Sequence, residues 1–139
     1  MMSGIKGKDT RPEIMIRRGL HARGFRYRLY DPKLPGKPDL VFPRYKAIIL
    51  INGCFWHGHL CHLFKWPKSR PEFWKEKIQS NMDRDIRQLL QYQELGWRVL
   101  TVWECSIKGS ESYDTDTVIE TASQWLLSDS LAGTITGKS

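Results

Sequence analysis

The chain has 139 residues, 40% of them hydrophobic, and its 22 Lys and Arg against 15 Asp and Glu give a formal net charge of +7. This length and composition fit one domain with its own core and exclude a coiled coil, a collagen-like chain and a low-complexity segment. The longest apolar run, residues 47–51, is far shorter than the ~20 residues of a membrane-spanning helix. Residues 1–10 lack the apolar stretch of a signal peptide, so we expect a cytoplasmic protein.

The positive charge lies mainly in the first two thirds of the chain. The formal charge is +8 over residues 1–50, +3 over residues 51–100 and −4 over residues 101–139. A basic region of this kind indicates a polyanionic partner, although many small basic proteins bind no specific one. The six Trp, five Tyr and five Phe can stack on nucleic-acid bases or can form the core.

The first half of the chain predicts one helix followed by three strands. Residues 10–13 (TRPE) form a capping-box pattern with Pro in the first turn, which predicts a helix ending near Arg23. Alternating and apolar runs then predict strands over residues 25–30, 39–42 and 46–51.

The second half of the chain predicts two helices around a further strand. Residues 69–72 (SRPE) repeat the capping pattern, and apolar residues at spacings of three and four predict a long helix ending at Gly96. Its predicted inner face consists of Trp74, Ile78, Met82, Ile86, Leu89 and Leu90. A strand over residues 97–103 and a helix over residues 114–127 follow.

This order of elements predicts an α/β fold in which helices flank one mixed central sheet. We expect a single domain over residues 1–127. Residues 128–139, mostly Ser, Gly and Thr, are expected to form a disordered tail.

The irregular segment over residues 52–70 contains most of the candidate metal ligands. Three cysteines and three histidines form the candidate set: Cys54, His57, His59, Cys61, His62 and Cys105. An odd number of cysteines argues against a disulfide framework, whereas three Cys and one His match a closed tetrahedral zinc site. Both His57 and His59 could be the fourth ligand, whereas His62 is disfavoured by its position next to Cys61. The alternative is three free buried thiols with histidines at the surface.

Asp39 is the acidic residue best placed to bind a catalytic cation. It follows a Gly/Pro turn at the start of a predicted strand, where its carboxylate could ligate Mg²⁺ or could merely cap the turn. The next strand carries no acidic residue, so an enzyme would need other groups. His57 could act as a general base near neutral pH. Glu13 could hold metal-bound water in addition to its capping role.

Residues 52–61 (NGCFWHGHLC) closely resemble the signature of the very-short-patch mismatch repair endonuclease (Vsr) family. Residues 34–40, 73–85 and 94–105 match further motifs of that family, so the resemblance covers roughly residues 2–127. It implies a restriction-endonuclease-like fold with a structural zinc ion. It also implies Mg²⁺-dependent nicking of double-stranded DNA on the 5′ side of the thymine in a T·G mismatch, which arises when 5-methylcytosine deaminates.

The resemblance also implies roles for particular residues. Asp39 would be the metal-binding carboxylate, His57 the general base and Glu13 a supporting acid. The main-chain carbonyl of Ile51 would be a second Mg²⁺ ligand. The zinc ligands would be Cys54, His59, Cys61 and Cys105, and the aromatic wedge beside the mismatch would be Phe55, Trp56 and Trp74.

Two features depart from the family pattern. Asn52 stands where the family usually has an active-site His, and an Asn can hydrogen-bond a phosphate but cannot carry its proton. Few residues precede Ile5, where the family usually has a longer basic arm that clasps the DNA. The alternatives are a non-catalytic, zinc-stabilised module that binds mismatches, and an enzyme that cuts at other mismatches or in single strands.

The resemblance further implies where and with what the protein works. We expect a monomer that acts on nucleoid DNA in the bacterial cytoplasm. Mismatch-repair proteins are the further partners that the resemblance suggests.

Overall fold

The computed structural model describes residues 10–138, which form five strands and three α-helices. In chain order these are α1 (Arg11–Ala22), β1 (Arg28–Leu29), β2 (Leu40–Phe42), β3 (Ala47–Asn52), α2 (Pro71–Glu94), β4 (Arg98–Trp103), α3 (Thr115–Leu127) and β5 (Ala132–Ile135). The predicted fold class, a mixed sheet flanked by helices, is confirmed. The short N-terminal arm lies outside the described residues. None of the described helices is long and apolar enough to cross a membrane.

The five strands form one sheet in the order β1-β2-β3-β4-β5. The pairs β1–β2 and β2–β3 are antiparallel, whereas β3, β4 and β5 are parallel neighbours. Helix α2 lies in the crossover between β3 and β4, because parallel neighbours need a long connection. The carboxyl ends of β3 and β4 therefore lie side by side, and Asn52 pairs with Trp103 there.

Apolar side chains are buried on both faces of this sheet. Ile49 of β3 belongs to the core beneath α1 and α3, whereas Ile48 packs with Tyr92 of α2 on the opposite face. Because β3 is covered on both sides, it has a continuous apolar sequence rather than an alternating one.

The capping prediction at α1 is confirmed. Thr10 is the N-cap residue, and its Oγ1 accepts a hydrogen bond from the Glu13 N–H at 3.4 Å. Pro12 stands in the first turn, and the helix ends at Ala22, one residue before the predicted end. This cap positions Glu13 in the first turn of α1, where its side chain is buried.

The capping prediction at α2 is wrong. The helix begins at Pro71 after Arg70, and within the described residues no side chain caps it. Arg70 itself occupies the N-cap position with a left-handed φ of 54°. This left-handed turn places Ser69 outside the helix, so its hydroxyl does not take the predicted role.

The inner face of α2 also differs from the prediction. Ile86 and Leu90 were expected to face inward but are 59% and 54% exposed. Asn81 and Tyr92 are buried instead, because each donates a hydrogen bond to a main-chain carbonyl. The carbonyl that accepts from Asn81 belongs to Trp56, at 2.9 Å. Apolar spacing alone does not identify such polar inward positions.

Two further predictions near the sheet edges are wrong. The strand expected over residues 25–30 is only two residues long, because Tyr30 has a left-handed φ of 51° and ends it. Residues 128–139, expected to be disordered, contain strand β5. Pairing with β4 stabilises this segment, and the Arg98 guanidinium donates to the Ser130 carbonyl at 3.1 Å. The polar composition of the tail does not show these contacts.

Candidate active site and metal centre

Asp39 lies directly before β2, next to the central strand. Its Oδ2 accepts a hydrogen bond of 2.8 Å from the main-chain N–H of Ile51 in β3. Burial raises the pKa of Asp39 to about 7; the hydrogen bond from Ile51 opposes this change, and the charge of Glu13 adds to it. A carboxyl group with this pKa can exchange its proton for a cation near neutral pH.

Glu13 reaches the same site from α1. The residue is 1% exposed, and its Oε2 accepts a hydrogen bond of 3.1 Å from Arg17, one helical turn later. The hydroxyl of Tyr30 donates to the same oxygen. Because the charge of Glu13 raises the pKa of Asp39, the two acids share one electrostatic environment.

These groups fit a divalent cation such as Mg²⁺. Asp39, Glu13 and the main chain of Ile51 offer only oxygen ligands, which Mg²⁺ prefers. Two carboxylates in one poorly hydrated site repel each other, and a cation bound there would remove that repulsion. The structure therefore brings together three residues with the chemistry of a Mg²⁺ site.

His57 is paired with a carboxylate of α2. Its Nδ1 lies 2.5 Å from Oδ2 of Asp85, so the carboxylate favours the tautomer with its proton on Nδ1. This arrangement leaves Nε2 able to accept a proton. Asp85 was assigned no role from the sequence, because its partner His57 lies 28 positions earlier in an irregular loop and no local pattern links the two residues.

A cleft of about 990 Å³ opens beside these residues. Ile51, Asn52 and His57 lie on its wall. The Lys and Arg side chains that line it are Arg70, Lys77, Arg84 and Lys108. Positive charge around a groove that adjoins an acidic site suits the phosphate backbone of a nucleic acid.

The three aromatic residues predicted to form a wedge lie together in this cleft. The ring centroids of Phe55 and Trp56 are 5.2 Å apart, and those of Phe55 and Trp74 are 5.4 Å apart. Trp56 and Trp74 complete the cluster at 5.7 Å. Edge-to-face contacts of this kind hold the rings in place, so they can meet a base without first being ordered.

A second cluster lies beyond the carboxyl end of β4. Its members are Cys54, His59, Cys61 and Cys105, whose ligand atoms all lie within 4.8 Å of one another. Nδ1 of His59 is 3.7 Å from Sγ of Cys105, close to the roughly 3.5 Å between nitrogen and sulfur ligands of tetrahedral zinc. Burial lowers the pKa of His59, which favours the neutral imidazole that binds metals. This set fits a structural zinc ion and contains His59 rather than His57.

Main-chain groups surround the sulfur atoms of this cluster. The N–H of Leu63 donates to Cys61 at 3.4 Å, and the N–H of Gly137 donates to Cys105 at 3.2 Å. Such hydrogen bonds stabilise thiolate charge around a metal. Because Gly137 follows β5, the cluster joins the irregular loop to the end of β4 and to the C-terminal segment.

Known proteins are similar in sequence to this chain over most of its length. Residues 1–63 match the family model described as DNA mismatch endonuclease Vsr. The DNA mismatch endonuclease Vsr of Escherichia coli (strain K12) is 42% identical over 134 residues, which are 96% of this chain and 86% of that protein. The type II nicking enzyme V.NmeAIP of Neisseria meningitidis serogroup A is 44% identical over 108 residues, 78% of this chain and 77% of that protein. The chain therefore belongs to the Vsr family of DNA mismatch endonucleases.

Proposed function

We propose that this DNA endonuclease nicks one strand of double-stranded DNA on the 5′ side of the thymine in a T·G mismatch and that it requires Mg²⁺. One observation carries the proposal: the Asp39 carboxylate binds the N–H of Ile51 on the wall of a basic, aromatic-lined cleft, and His57, paired with Asp85, lies on the same wall. The names of the relatives, a mismatch endonuclease and a nicking enzyme, support it.

Asp39 and the carbonyl of Ile51 are the proposed Mg²⁺ ligands, with Glu13 as a supporting acid. A bound Mg²⁺ ion would polarise the scissile phosphate and stabilise negative charge on the leaving oxygen. Asp39 is held in position by the Ile51 N–H, and Glu13 by Arg17 and Tyr30. These hydrogen bonds fix both carboxylates before substrate binds.

His57 is the proposed general base. Its Nε2 accepts a proton from the attacking water as the new bond to phosphorus forms and the bond to the leaving sugar oxygen breaks. Asp85 keeps the Nδ1 proton in place and offsets the positive charge that develops on the ring. Asn52, on the same cleft wall, can donate a hydrogen bond to a phosphate oxygen.

The aromatic cluster is the proposed means of finding the mismatch. Phe55, Trp56 and Trp74 would insert between base pairs beside the mispaired thymine. Unstacking a base step costs a few kcal/mol and costs least where pairing is already weak. The Lys and Arg residues of the cleft would meanwhile bind the phosphates on either side.

Zinc is the proposed ion in the cluster of Cys54, His59, Cys61 and Cys105. Four protein ligands close its coordination shell, as is typical of structural zinc. The loop that it would fix carries both His57 and two of the aromatic residues. Metal binding would therefore keep His57 beside Asp85 of α2, and Phe55 and Trp56 beside Trp74 of α2.

The proposed substrate also gives the place of action. Chromosomal T·G mismatches lie in the nucleoid, in the bacterial cytoplasm. Because a single chain supplies every residue of the site, a monomer is sufficient.

A duplex panel tests the proposal. We expect Mg²⁺-dependent nicking of the thymine strand in a T·G duplex, at least tenfold faster than in other mismatches, matched duplexes or single strands. Asp31→Ala is a suitable control, because the Asp31 side chain accepts a hydrogen bond from the Lys33 N–H in a turn and is no part of the proposed site. Equal cleavage across the panel would overturn the T·G assignment. Tight T·G binding without cleavage under Mg²⁺ or Mn²⁺ would instead indicate a non-catalytic binding module.

A further inference from the structure

Among the described residues, the side chains of Arg17 and Tyr30 hold Glu13, and neither of them takes a chemical part in the proposed reaction. Nη1 of Arg17 donates to Glu13 Oε2 at 3.1 Å, and the Tyr30 hydroxyl donates to the same oxygen. The side chains of Glu13 and Arg17 are 2% and 18% exposed. In such a sheltered place, charge-assisted hydrogen bonds restrict the carboxylate strongly.

The backbone of Tyr30 places its hydroxyl at this position. Its φ of 51° lies in the left-handed region, which is costly for an aromatic residue. Its N–H donates to the carbonyl of Asp39 at 3.4 Å, one step beyond the pairing of Leu29 with Leu40. Tyr30 therefore contacts both acids, Asp39 through its main chain and Glu13 through its side chain.

We propose that Arg17 and Tyr30 are positioning residues that fix the Glu13 carboxylate beside Asp39 and thereby set the affinity of the acidic site for a divalent cation. The inference rests on the proposed function, in which that acidic site holds Mg²⁺. Once both side chains are ionised, the two carboxylates repel each other in the absence of a cation, and an unrestrained Glu13 side chain would turn away from Asp39. The two donors oppose that movement, so the cation meets a site that is already assembled.

Hydrogen-bond partners of this kind have measurable effects on metal binding. Removing one typically weakens metal affinity or activity by roughly 10- to 100-fold. Tyr30→Phe deletes only the hydroxyl and keeps the ring. We expect it to raise the Kd for Mn²⁺, measured by calorimetry on the zinc-loaded full chain without DNA, by roughly tenfold. The Mg²⁺ concentration for half-maximal nicking should rise by a similar factor, while kcat at saturating Mg²⁺ stays near that of the wild type.

Two further variants make this test specific. Tyr45→Phe makes the same chemical change beyond the other end of β2, where the ring packs 5.5 Å from Phe25, and should leave the Mn²⁺ Kd unchanged. Arg17→Lys keeps the charge but loses the planar donor group, and should raise the Kd by a smaller factor than Tyr30→Phe.

The outcomes separate this inference from the proposed function. If Tyr30→Phe binds Mn²⁺ like the wild type while Asp39→Ala does not bind it, the positioning role of Tyr30 is wrong and the proposed cation site is upheld. A lower Tm for Tyr30→Phe with an unchanged Kd would also overturn the inference, because it would show a purely structural role. If Asp39→Ala binds Mn²⁺ as the wild type does, the proposed function itself fails.

Discussion

At the scale of single residues, the contact between His57 and Asp85 decides which ring nitrogen can take a proton. The two residues are 28 positions apart, one in an irregular loop and the other in the middle of α2. With the Nδ1 proton held by the carboxylate, Nε2 becomes the basic atom. Asp85 therefore acts through His57 and has the character of a positioning residue.

Asp85→Asn should lower kcat for T·G nicking by about 10²- to 10⁴-fold, because an amide can donate to Nδ1 and so favour the wrong tautomer. Single-turnover nicking at saturating Mg²⁺ measures this effect. Asp83→Asn is the matched control, since Asp83 accepts from Gln79 on the exposed side of the same helix. An Asp85→Asn rate within about twofold of the wild-type rate would contradict a positioning role for Asp85.

The raised pKa of Asp39 makes stability depend on pH. In the folded protein without Mg²⁺ this carboxyl keeps its proton up to about pH 7, mainly because of burial, whereas its ordinary value is 3.8. Between these two values the folded state therefore binds more protons than the unfolded state. The protonated Asp39 carboxyl adds its full contribution to the free energy of unfolding below about pH 4, and this contribution is lost as the pH rises through 7.

Asp39→Asn should accordingly become more stable relative to the wild type as the pH rises. Urea denaturation of the zinc-loaded proteins in Mg²⁺-free buffer at pH 5 and pH 8 measures the difference. We expect the difference to be larger at pH 8 than at pH 5, because the folded wild type keeps the Asp39 proton at pH 5 and has lost it at pH 8. A difference that does not change with pH would contradict a raised pKa.

At the scale of elements, α2 shows what a pattern of residues can and cannot predict. Its existence and extent follow from apolar spacing and from Gly96, and the structure has it over Pro71–Glu94. Its orientation does not follow, because Asn81 faces inward through a hydrogen bond while Ile86 faces solvent. The carbonyl that accepts from Asn81 lies far away along the chain, so the spacing of residues within the helix does not indicate this hydrogen bond.

Substitutions on the two sides of α2 test this orientation. Ile78→Ala should lower the free energy of unfolding by about 2–5 kcal/mol, because Ile78 is only 2% exposed. Ile86→Ala makes the same change at a residue that is 59% exposed and should cost less than about 0.5 kcal/mol. Urea titrations of the two variants give both values. Equal losses of stability would show that the predicted inner face was right.

The Cys/His cluster is the element-scale feature that joins distant segments. Cys105→Ser should lose the expected one zinc per chain, as measured by metal analysis, because a closed site needs all four ligands. A cross-link over such a span contributes on the order of 3 kcal/mol, which corresponds to a Tm lower by roughly 10 °C. A chelator should lower the Tm of the wild type and leave that of Cys105→Ser unchanged. A zinc-free wild-type protein with full stability would contradict this role.

At the scale of the whole molecule, the sheet explains why residues far apart in sequence form one site. Asp39 precedes β2, Ile51 belongs to β3, and the antiparallel pairing of these strands brings the two together. The sheet and the motif residues were predictable from capping, apolar runs and family resemblance. The contacts of Glu13 with Tyr30 were not, because they depend on a left-handed turn that no local pattern indicates.

The charge of the chain has a similar explanation. The first fifty residues carry +8, yet they also supply both acids of the proposed cation site, Glu13 and Asp39. Composition alone indicated only a polyanionic partner. Ile51, whose N–H binds the Asp39 carboxylate, lies on the wall of a cleft lined by Lys and Arg, which suits the proposed binding of a phosphate and a cation together.

Nicking of a T·G duplex by the wild type and by Asp39→Ala, each zinc-loaded and supplied with Mg²⁺, is the decisive experiment for the proposed activity. We predict a single nick 5′ of the mispaired thymine by the wild type. We predict a rate at least 100-fold lower for Asp39→Ala, because the variant lacks the main proposed cation ligand. Equal rates for the two proteins, or no nicking by either, would contradict the proposed activity.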